Sequence, residues 1–365
     1  MEFALTLEQR QFDDSLRAFL KDRLPMERLR ALAPAGIGFD DDLWNGMLEL
    51  GLQGLLVPER FGGAGLGILD AAVAGEALGY AAAPIPFAGS IVMASLAFMN
   101  SATESQQDEY LPLLAGGEAR FAVAFAGLAG QTGASKATYA DGRLSGRVAA
   151  VMDAGSATHF IVYLADGTAA VVEANAAGVS SHMHRSLDRT RPTVDVTFDN
   201  APAARLDAAN DPMAAAKRVL DAGRIMLAAD TLGAAQNMLD KAVAFAKERV
   251  QFGRVIGSFQ GVKHPLADCV TMLEPCRGMV WYAAHAQDMI REEARLTACH
   301  TKAHLSDVGR EVARMTTETH GGMGFTDLLG LHYWFKRISF NRQLLGGPEI
   351  CREEAAALQG WLTHA

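Results

Sequence analysis

The sequence predicts a mainly α-helical protein with a small β domain between two helical parts. Apolar residues recur at helical spacing up to about residue 115 and again from about residue 210. Between about 120 and 206 the pattern changes to alternation, in short segments bounded by glycine, Asp-Gly and proline. A length of 365 residues also exceeds the usual size of one hydrophobic core. We therefore predict three domains, at 1–115, 116–206 and 207–365.

Helices joined by short loops are predicted for the first part. Thr6 is an N-cap candidate in front of apolar residues at helical spacing through Lys21, and Asp41–Leu50 gives a second helix. A glycine cluster, GGAGLG, follows Pro58 and precedes a helix over about Leu69–Leu78. Because this cluster has neither the Walker spacing nor the dinucleotide-binding spacing, a tight turn between helices is favoured over a nucleotide site.

Five short segments of the middle part are strand candidates. They read FAVAFAG, GRLSGRV, HFIVYLA, AAVVEA and TVDVTFD. Asp141-Gly142 and Asp166-Gly167 predict hairpin turns between them. Near the last strand, Arg189 and Arg191 are interpreted as solvent-exposed charges at the strand entry. A binding site for the phosphates of coenzyme A is the less favoured interpretation.

The last part returns to helices, and four of them are predicted to form a bundle: Lys217–Glu248, Val262–Arg291, Glu293–Thr319 and Glu349–Leu362. His300 and His304 lie four residues apart in the third helix and could share one face. The string HTKAH lacks the glutamate and the third ligand of a zinc protease, so packing or surface roles are favoured and no metal site is predicted.

Composition narrows the possible partners and the location. Lysine plus arginine total 33 against 42 aspartate plus glutamate, a net charge of −9 without a basic run, so no nucleic-acid partner is predicted. The longest nearly apolar run, Ala88–Met99, is too short to span a bilayer. The four cysteines show no paired spacing and fit a reducing compartment. We expect a soluble, cytoplasmic protein without a membrane span.

One corner of the predicted bundle carries side chains suited to a ligand. It reads ERVQFGRVIGSFQ over 248–260, where glycines break one helix and Ser258 is a plausible cap for the next. Arg249, Phe252 and Gln260 combine a guanidinium fork, an aromatic ring and a carboxamide, which suit a flat, phosphate-bearing ligand. A salt-bridged turn between helices is the alternative from the residues alone.

This corner resembles the signature of the acyl-CoA dehydrogenases, flavoenzymes that desaturate acyl thioesters between Cα and Cβ. Two further strings in the same order support the resemblance: VPERFGGAGL, followed by Glu76, Leu78 and Gly79, and HGGMGF at 320–325. The resemblance implies a helical N-terminal domain, a middle β-barrel or sandwich, and a C-terminal four-helix bundle.

The resemblance also implies FAD as the cofactor. Arg249, Phe252 and Gln260 would contact an FAD held mainly by a neighbouring subunit. Backbone at Gly321 and Gly322 would approach its adenosine and pyrophosphate end, because glycine lets a ligand come close.

The sequence departs from the family where catalysis needs a base. The family places its glutamate at one of two positions, and alignment puts Gly346 and Gly223 there. Asp221, Asp230 and Glu349 are the nearest carboxylates, and we keep Glu349 and Asp230 as weak candidates for the base. The catalytic residue is therefore unknown.

The flavin ring pocket departs from the family as well. The family's loop along the flavin is replaced by AGLAGQTGAS at Ala126–Ser135, and its Trp-Ile-Thr strand by Ala150, Val151 and Met152. The missing residues thus belong to the pocket of the flavin ring itself, whereas the retained ones belong to the side that reaches across to a partner's FAD.

We predict an FAD-dependent acyl-CoA dehydrogenase of fatty acid or sterol side-chain β-oxidation that needs a partner chain for its base. Implied partners are the acyl-CoA substrate, an electron-transfer flavoprotein or similar acceptor, and a homo- or hetero-oligomer of two or four chains. A homo-oligomer with a non-standard base and a flavin-free scaffold paralogue are the alternatives.

Overall fold

The structure is a computed structural model and describes residues 4–130 and 135–362. Along these residues a helical stretch is followed by a β stretch and then by a second helical stretch. The mainly α fold with a small β part is confirmed. The change from helices to strands falls between Ala115 and Phe121, and the return to helices between Leu206 and Pro212. That these stretches are separate domains with limits at 116 and 206 stays a prediction.

The first helical stretch is fixed at its start by a confirmed cap. The backbone N–H of Gln9 donates to Thr6 Oγ1 at 3.2 Å, and the Gln9 side chain accepts from the Thr6 N–H at 3.0 Å. A π-helical segment, Phe87–Met93, leads into the fifth helix. The helices are α1 (Leu7–Arg23), α2 (Met26–Leu32), α3 (Asp41–Glu49), α4 (Ile68–Ala81), α5 (Ala94–Ser101) and α6 (Glu104–Ala115).

The strands of the middle stretch are β1 (Phe121–Phe125), β2 (Lys136–Ala140), β3 (Arg143–Met152), β4 (His159–Tyr163), β5 (Ala169–Glu173), β6 (Val179–Met183), β7 (Thr193–Pro202) and β8 (Ala204–Leu206). Among the described residues they form two four-stranded sheets, in the orders β1-β4-β5-β8 and β2-β3-β7-β6. Every pairing is antiparallel except β1 with β4. The predicted Asp141-Gly142 turn joins β2 to β3, whereas β2 and β6 themselves were missed because they are largely exposed and polar.

Strand β1 links the two hydrophobic cores. Because successive side chains of a strand point to opposite faces, Phe121, Val123 and Phe125 join the core shared with the helices. Ala122 and Ala124 belong to the core between the two sheets. One face of the first sheet therefore packs against the helical parts, and its other face packs against the second sheet.

The second helical stretch contains α7 (Pro212–Glu248), α8 (Gln260–Met289), α9 (Arg291–Thr319), α10 (Leu331–Gln343) and α11 (Pro348–Leu358). A short hairpin, β9 (Val250–Gln251) with β10 (Arg254–Val255), lies between α7 and α8. The sequence missed α10, whose many aromatic and basic residues give no plain apolar stripe. No helix of the described residues is long and apolar enough to cross a lipid bilayer.

Glycines let α4 and α7 cross closely. A Cβ on Gly79 would lie 2.0 Å from the Asp230 carbonyl oxygen, and one on Gly233 would lie 1.9 Å from the Glu76 carbonyl oxygen. No larger residue fits either position without a shift of backbone. This crossing fixes α7, which carries Gly223 in its first third and is followed directly by Arg249.

Candidate active site

The corner after α7 is ordered by a hairpin. Phe252 and Gly253 form its turn with φ of 52° and 77°, between the paired strands β9 and β10. The N–H of Ile256 donates to the Arg249 carbonyl at 2.7 Å and closes the loop. Ser258 does not cap α8 as expected: Phe259 occupies the N-cap position, and the Ser258 hydroxyl donates to the Val255 carbonyl instead.

The aromatic ring of this corner points away from the protein. Phe252 is 92% exposed, although its ring lies edge-on to that of Phe259 at 6.2 Å. The guanidinium of Arg254 lies over the Phe259 ring at 3.9 Å and steadies the hairpin. Arg249 and Gln260 are exposed as well. The corner thus presents a ring, a cation and an amide to whatever binds there.

The HGGMGF turn lies beside this corner. The His320 ring packs against that of Phe245 at a tilt of 32°, with centroids 4.7 Å apart, and the Phe245 carbonyl accepts from the Arg249 N–H at 2.8 Å. Gly321 and Gly322 are exposed, and a Cβ on either would meet no atom within 4 Å. The structure therefore brings the two predicted nucleotide-contacting segments together and leaves the glycine backbone open.

A separate cavity of about 410 Å³ lies between β1, β3 and the segment after α10. Ala150, Met152, Gly346 and Glu349 line it, together with Ala129. Ala150, Met152 and Gly346 are positions where the sequence departs from the acyl-CoA dehydrogenase pattern, so these departures meet in one place, whereas Gly223 does not line the cavity. Part of the substituted loop, residues 131–134, lies outside the described residues.

A bulge in β3 shapes one wall of the cavity. Pairing with β7 shifts by one residue between Val148 and Val151, and Ala150 takes a positive φ of 52°. The Ala150 N–H donates to Asp195 Oδ1 at 2.8 Å. Burial alone would raise the pKa of Asp195, but His184, the Ala150 N–H and Arg147 outweigh it and lower the pKa to about 2. The carboxylate that holds the bulge therefore stays ionised above about pH 2.

At both positions where the base is expected, the surroundings suit glycine and no larger residue. A Cβ on Gly223 would lie 2.6 Å from Leu345 Cδ1 and 2.7 Å from Met93 Sδ. Gly346 has a φ of 93°, which side chains rarely adopt, and a Cβ there would lie 3.1 Å from Arg224 Nη2. Neighbouring side chains thus occupy the space that a glutamate at position 223 would need, and the backbone at 346 disfavours one.

Asp230 lies in a buried ion-pair cluster. It accepts from Arg337 Nη2 at 2.7 Å, from Arg191 Nη2 at 3.1 Å and from Asn341 Nδ2 at 2.7 Å. Burial would raise its pKa, but the two guanidinium groups and Asn341 lower the pKa to about 2. A carboxylate so firmly held is a weak base, which disfavours Asp230 as the catalytic residue. Arg191, expected to be solvated, is buried in this cluster, whereas Arg189 is half-buried and donates to the Pro34 carbonyl.

Glu349 is the candidate base that reaches the cavity. It is exposed at the rim and accepts from Arg342 Nη2 at 2.9 Å. A backbone hydrogen bond at its own residue and the bond from Arg342 lower the pKa of Glu349. Asp221, two residues before Gly223, is instead buried against Arg295 at 3.0 Å.

A buried arginine missed by the sequence reasoning connects the two glycine positions. Arg224, fully buried, donates from Nε to the Leu345 carbonyl at 2.9 Å and binds Glu354 with both terminal nitrogens, at 2.7 and 2.9 Å. The residues are about 120 to 130 apart in the chain, so spacing carries no signal. The one local clue is a charged residue on the apolar stretch of α7 directly after Gly223.

Comparison with known proteins identifies the family. The family model "Acyl-CoA dehydrogenase, N-terminal domain" matches residues 6–118, and "Acyl-CoA dehydrogenase, C-terminal domain" matches residues 210–358. Acyl-CoA dehydrogenase IpdE2 of Mycobacterium tuberculosis is 32% identical over 329 residues, 89% of this chain and 89% of that protein.

Two further relatives agree. Caffeyl-CoA reductase-Etf complex subunit CarC of Acetobacterium woodii is 28% identical over 336 residues, 85% of this chain and 86% of that protein. A solved Tcur3481-Tcur3483 steroid ACAD variant superposes with a TM-score of 0.87 at 30% identity and covers 97% of this chain and 98% of its own. The chain belongs to the acyl-CoA dehydrogenase family of flavoprotein oxidoreductases.

Proposed function

We propose that this chain is one subunit of a heteromeric, FAD-dependent acyl-CoA dehydrogenase whose partner chain supplies the catalytic base. The observation that carries the proposal is the packing at Gly223, where Leu345 and Met93 lie 2.6 and 2.7 Å from a Cβ, together with the positive φ of Gly346. Desaturation requires a group that accepts the proton from Cα, and glycine has none.

Two of the three nearest carboxylates support the same conclusion. Burial raises the pKa of the third, Asp221, to about 6, but Arg295 binds it at 3.0 Å and it does not line the cavity beside Gly346. Asp230 is neutralised by two buried arginines, and Glu349 is exposed and paired with Arg342. A base for a thioester needs a carboxylate whose pKa is raised by an apolar pocket, whereas the pKa of each of these two is lowered. Neither environment is that of a poised base.

The residues present fit one end of FAD better than the other. The exposed corner and the open glycine turn offer a guanidinium, a ring and free backbone, a donor set suited to a dinucleotide. The cavity near Gly346 offers Ala150 and Met152 in place of an aromatic ring and a hydroxyl. Arg249, Phe252, Gln260, Gly321 and Gly322 would therefore hold the FAD of a partner chain. The chemistry that bound FAD supplies is acceptance of the hydride from Cβ.

The names of relatives are consistent with partner chains. One solved relative pairs two gene products, Tcur3481 and Tcur3483, in a steroid ACAD. CarC is a subunit of a complex with an electron-transfer flavoprotein, which fits an acceptor of that kind for this enzyme. The acyl group is proposed to come from fatty acid or sterol side-chain breakdown.

A homo-oligomer with Glu349 as base is the second candidate, because Glu349 is the one acidic side chain that lines the cavity among the described residues. Its pairing with Arg342 is the reason to rank it lower. A flavin-free scaffold paralogue is the third.

The test is co-expression of this chain with acyl-CoA dehydrogenase paralogues of its own organism. Flavin spectrum and mass are measured for the chain alone and for each co-purified pair. The proposal predicts little flavin in the chain alone and a yellow hetero-oligomer with one paralogue. A stably flavin-loaded homo-oligomer would overturn it.

A further inference from the structure

A second and larger cavity lies away from Gly346, between α1, α2, α4, α7, α8 and α10. Its volume is about 810 Å³, and it shares no lining residue with the cavity beside Gly346. Pockets of 300–1,000 Å³ with a few convergent polar groups are typical of small-molecule sites. The corner residues Arg249 and Phe252 do not line it either.

Aromatic and aliphatic side chains form most of its wall. Leu20, Met26, Trp281 and Trp334 are among them. The Trp334 ring is fixed by a hydrogen bond from Nε1 to the Tyr80 carbonyl at 2.9 Å. Such a wall suits a flat or ring-shaped apolar body.

The Asn237 side chain also lines this cavity. Asn237 is 7% exposed, and its Oδ1, which is itself shielded from the cavity, has no hydrogen-bond partner among the described residues. A buried carboxamide oxygen without a donor is costly, so native proteins normally satisfy it. A half turn of the carboxamide, which exchanges its oxygen and nitrogen, would present the oxygen to an N–H or O–H group of a ligand in the cavity.

Among the described residues, four cations and three carboxylates line the cavity. Glu76 is paired with Arg277 at 3.0 Å and with Arg17 at 3.7 Å. Asp240 accepts from the Tyr80 hydroxyl at 3.0 Å and from Gln236 at 2.8 Å.

Lys241, like Lys21, forms no ion pair among the described residues, and its Nζ lies 4.8 Å from the centre of the Trp334 ring. A half-buried ammonium beside an aromatic wall is suited to an anionic group on the same ligand.

We propose that this cavity is a second ligand site, for a small organic acid with an apolar ring body and one hydrogen-bond donor. The acid group binds Lys241, the donor satisfies Asn237 Oδ1, and the ring body lies against Trp281 and Trp334. The site is separate from the proposed FAD and acyl-CoA surfaces. This second proposal can therefore be tested independently of the proposed reaction.

The probe is 8-anilinonaphthalene-1-sulfonate, which carries an anionic sulfonate, an N–H donor and two flat ring systems. Full-length protein is titrated with the dye, and energy transfer from tryptophan to dye is recorded. We expect one molecule per chain with strong transfer, undiminished by saturating FAD or octanoyl-CoA. Displacement by either compound would place the dye at the other site and overturn the proposal.

Two variants on α7 locate the binding. Asn237→Leu and Lys241→Met should each weaken dye affinity by about five- to tenfold, the loss of one hydrogen bond or ionic contact. Lys217→Met, at an exposed position of the same helix, should leave it unchanged. Unchanged affinity in both cavity variants would refute the site. If they fail to fold, a crystal structure of the wild-type protein with the dye decides, and an empty cavity there refutes it equally.

Discussion

Arg224 Nε lies 2.9 Å from the carbonyl oxygen of Leu345, and this one hydrogen bond joins α7 to the turn that carries Gly346. Leu345 and Gly346 both have positive φ, 57° and 93°. Because Glu354 binds the other two nitrogens of the same guanidinium, the turn is held from two helices at once. The two positions at which the sequence predicts the family's base, Gly223 and Gly346, are here tied together by a side chain that cannot accept a proton.

Arg224→Lys should loosen that turn. Lysine keeps the charge but cannot bind Glu354 with a planar fork and reach Leu345 at the same time. We expect a loss of about 1.5–3 kcal/mol in the free energy of unfolding, seen as a lower urea midpoint. Arg310→Lys, at an exposed position of α9, is the control. Equal midpoints for the two variants would show that the contact contributes nothing.

Adding one methyl group at Gly223 tests whether the packing around this position requires glycine. Overpacking of its Cβ against Leu345 and Met93 costs about 1–3 kcal/mol, so Gly223→Ala should destabilise the protein even though alanine favours the helix by about 0.5–1 kcal/mol. Gly278→Ala is the matched control, because its Cβ in α8 meets no atom within 4 Å. That control should stabilise by about 0.5–1 kcal/mol. Thermal midpoints that move in the same direction would contradict the packing argument.

The fold could be predicted from the sequence because the period of the hydrophobic pattern and the residue types of turns are local properties of the chain. The Thr6 cap and the Asp141-Gly142 hairpin needed only neighbours a few residues away. Strands β2 and β6 and helix α10 were missed because exposed strands and a mixed aromatic helix lack a clean period. The site was partly accessible: the motif strings located the corner, the glycine turn and the two glycines.

Long-range pairing explains what the sequence could not show. The burial of Arg191 against Asp230 joins residues 39 apart, and Arg224 with Glu354 joins residues 130 apart. Neither contact has a spacing rule. The sequence assigned Arg191 to solvent and Asp230 to possible catalysis because each was considered without its partner.

Asp230 should contribute acid sensitivity to the fold. Its pKa is lowered from 3.8 to about 2 in the folded protein, so its stabilisation is present above about pH 4 and lost as pH falls through about 2. The difference corresponds to about 2 kcal/mol. Asp230→Asn should cost about 3–5 kcal/mol at neutral pH, because Arg191 and Arg337 lose their partner, and should flatten the stability profile between pH 4 and 2.

The control for that profile is Asp268→Asn, at an exposed position of α8. Urea midpoints are compared across the pH range for the three proteins. A profile for Asp230→Asn that falls as steeply as the wild type would show that another group carries the acid sensitivity.

Arg249→Ala should weaken flavin retention in the assembled hetero-oligomer. A charge-assisted contact to phosphate contributes about 1.5–3 kcal/mol, so the dissociation constant of FAD should rise by about 10- to 150-fold. Equilibrium dialysis against free FAD measures it, with Arg310→Ala as the matched arginine control. Equal flavin affinity in the two variants would remove Arg249 from the proposed FAD surface.

The most direct test is single-turnover reduction of the flavin by acyl-CoA under anaerobic conditions. Octanoyl-CoA and a sterol side-chain acyl-CoA are mixed with this chain alone, loaded with FAD, and with its hetero-oligomer. Because a positioned base contributes about 10²–10⁴-fold, bleaching by the chain alone should be slower than by the hetero-oligomer by at least that factor. Rapid bleaching of the flavin-loaded homo-oligomer, abolished by Glu349→Gln, would contradict the account and assign the base to Glu349.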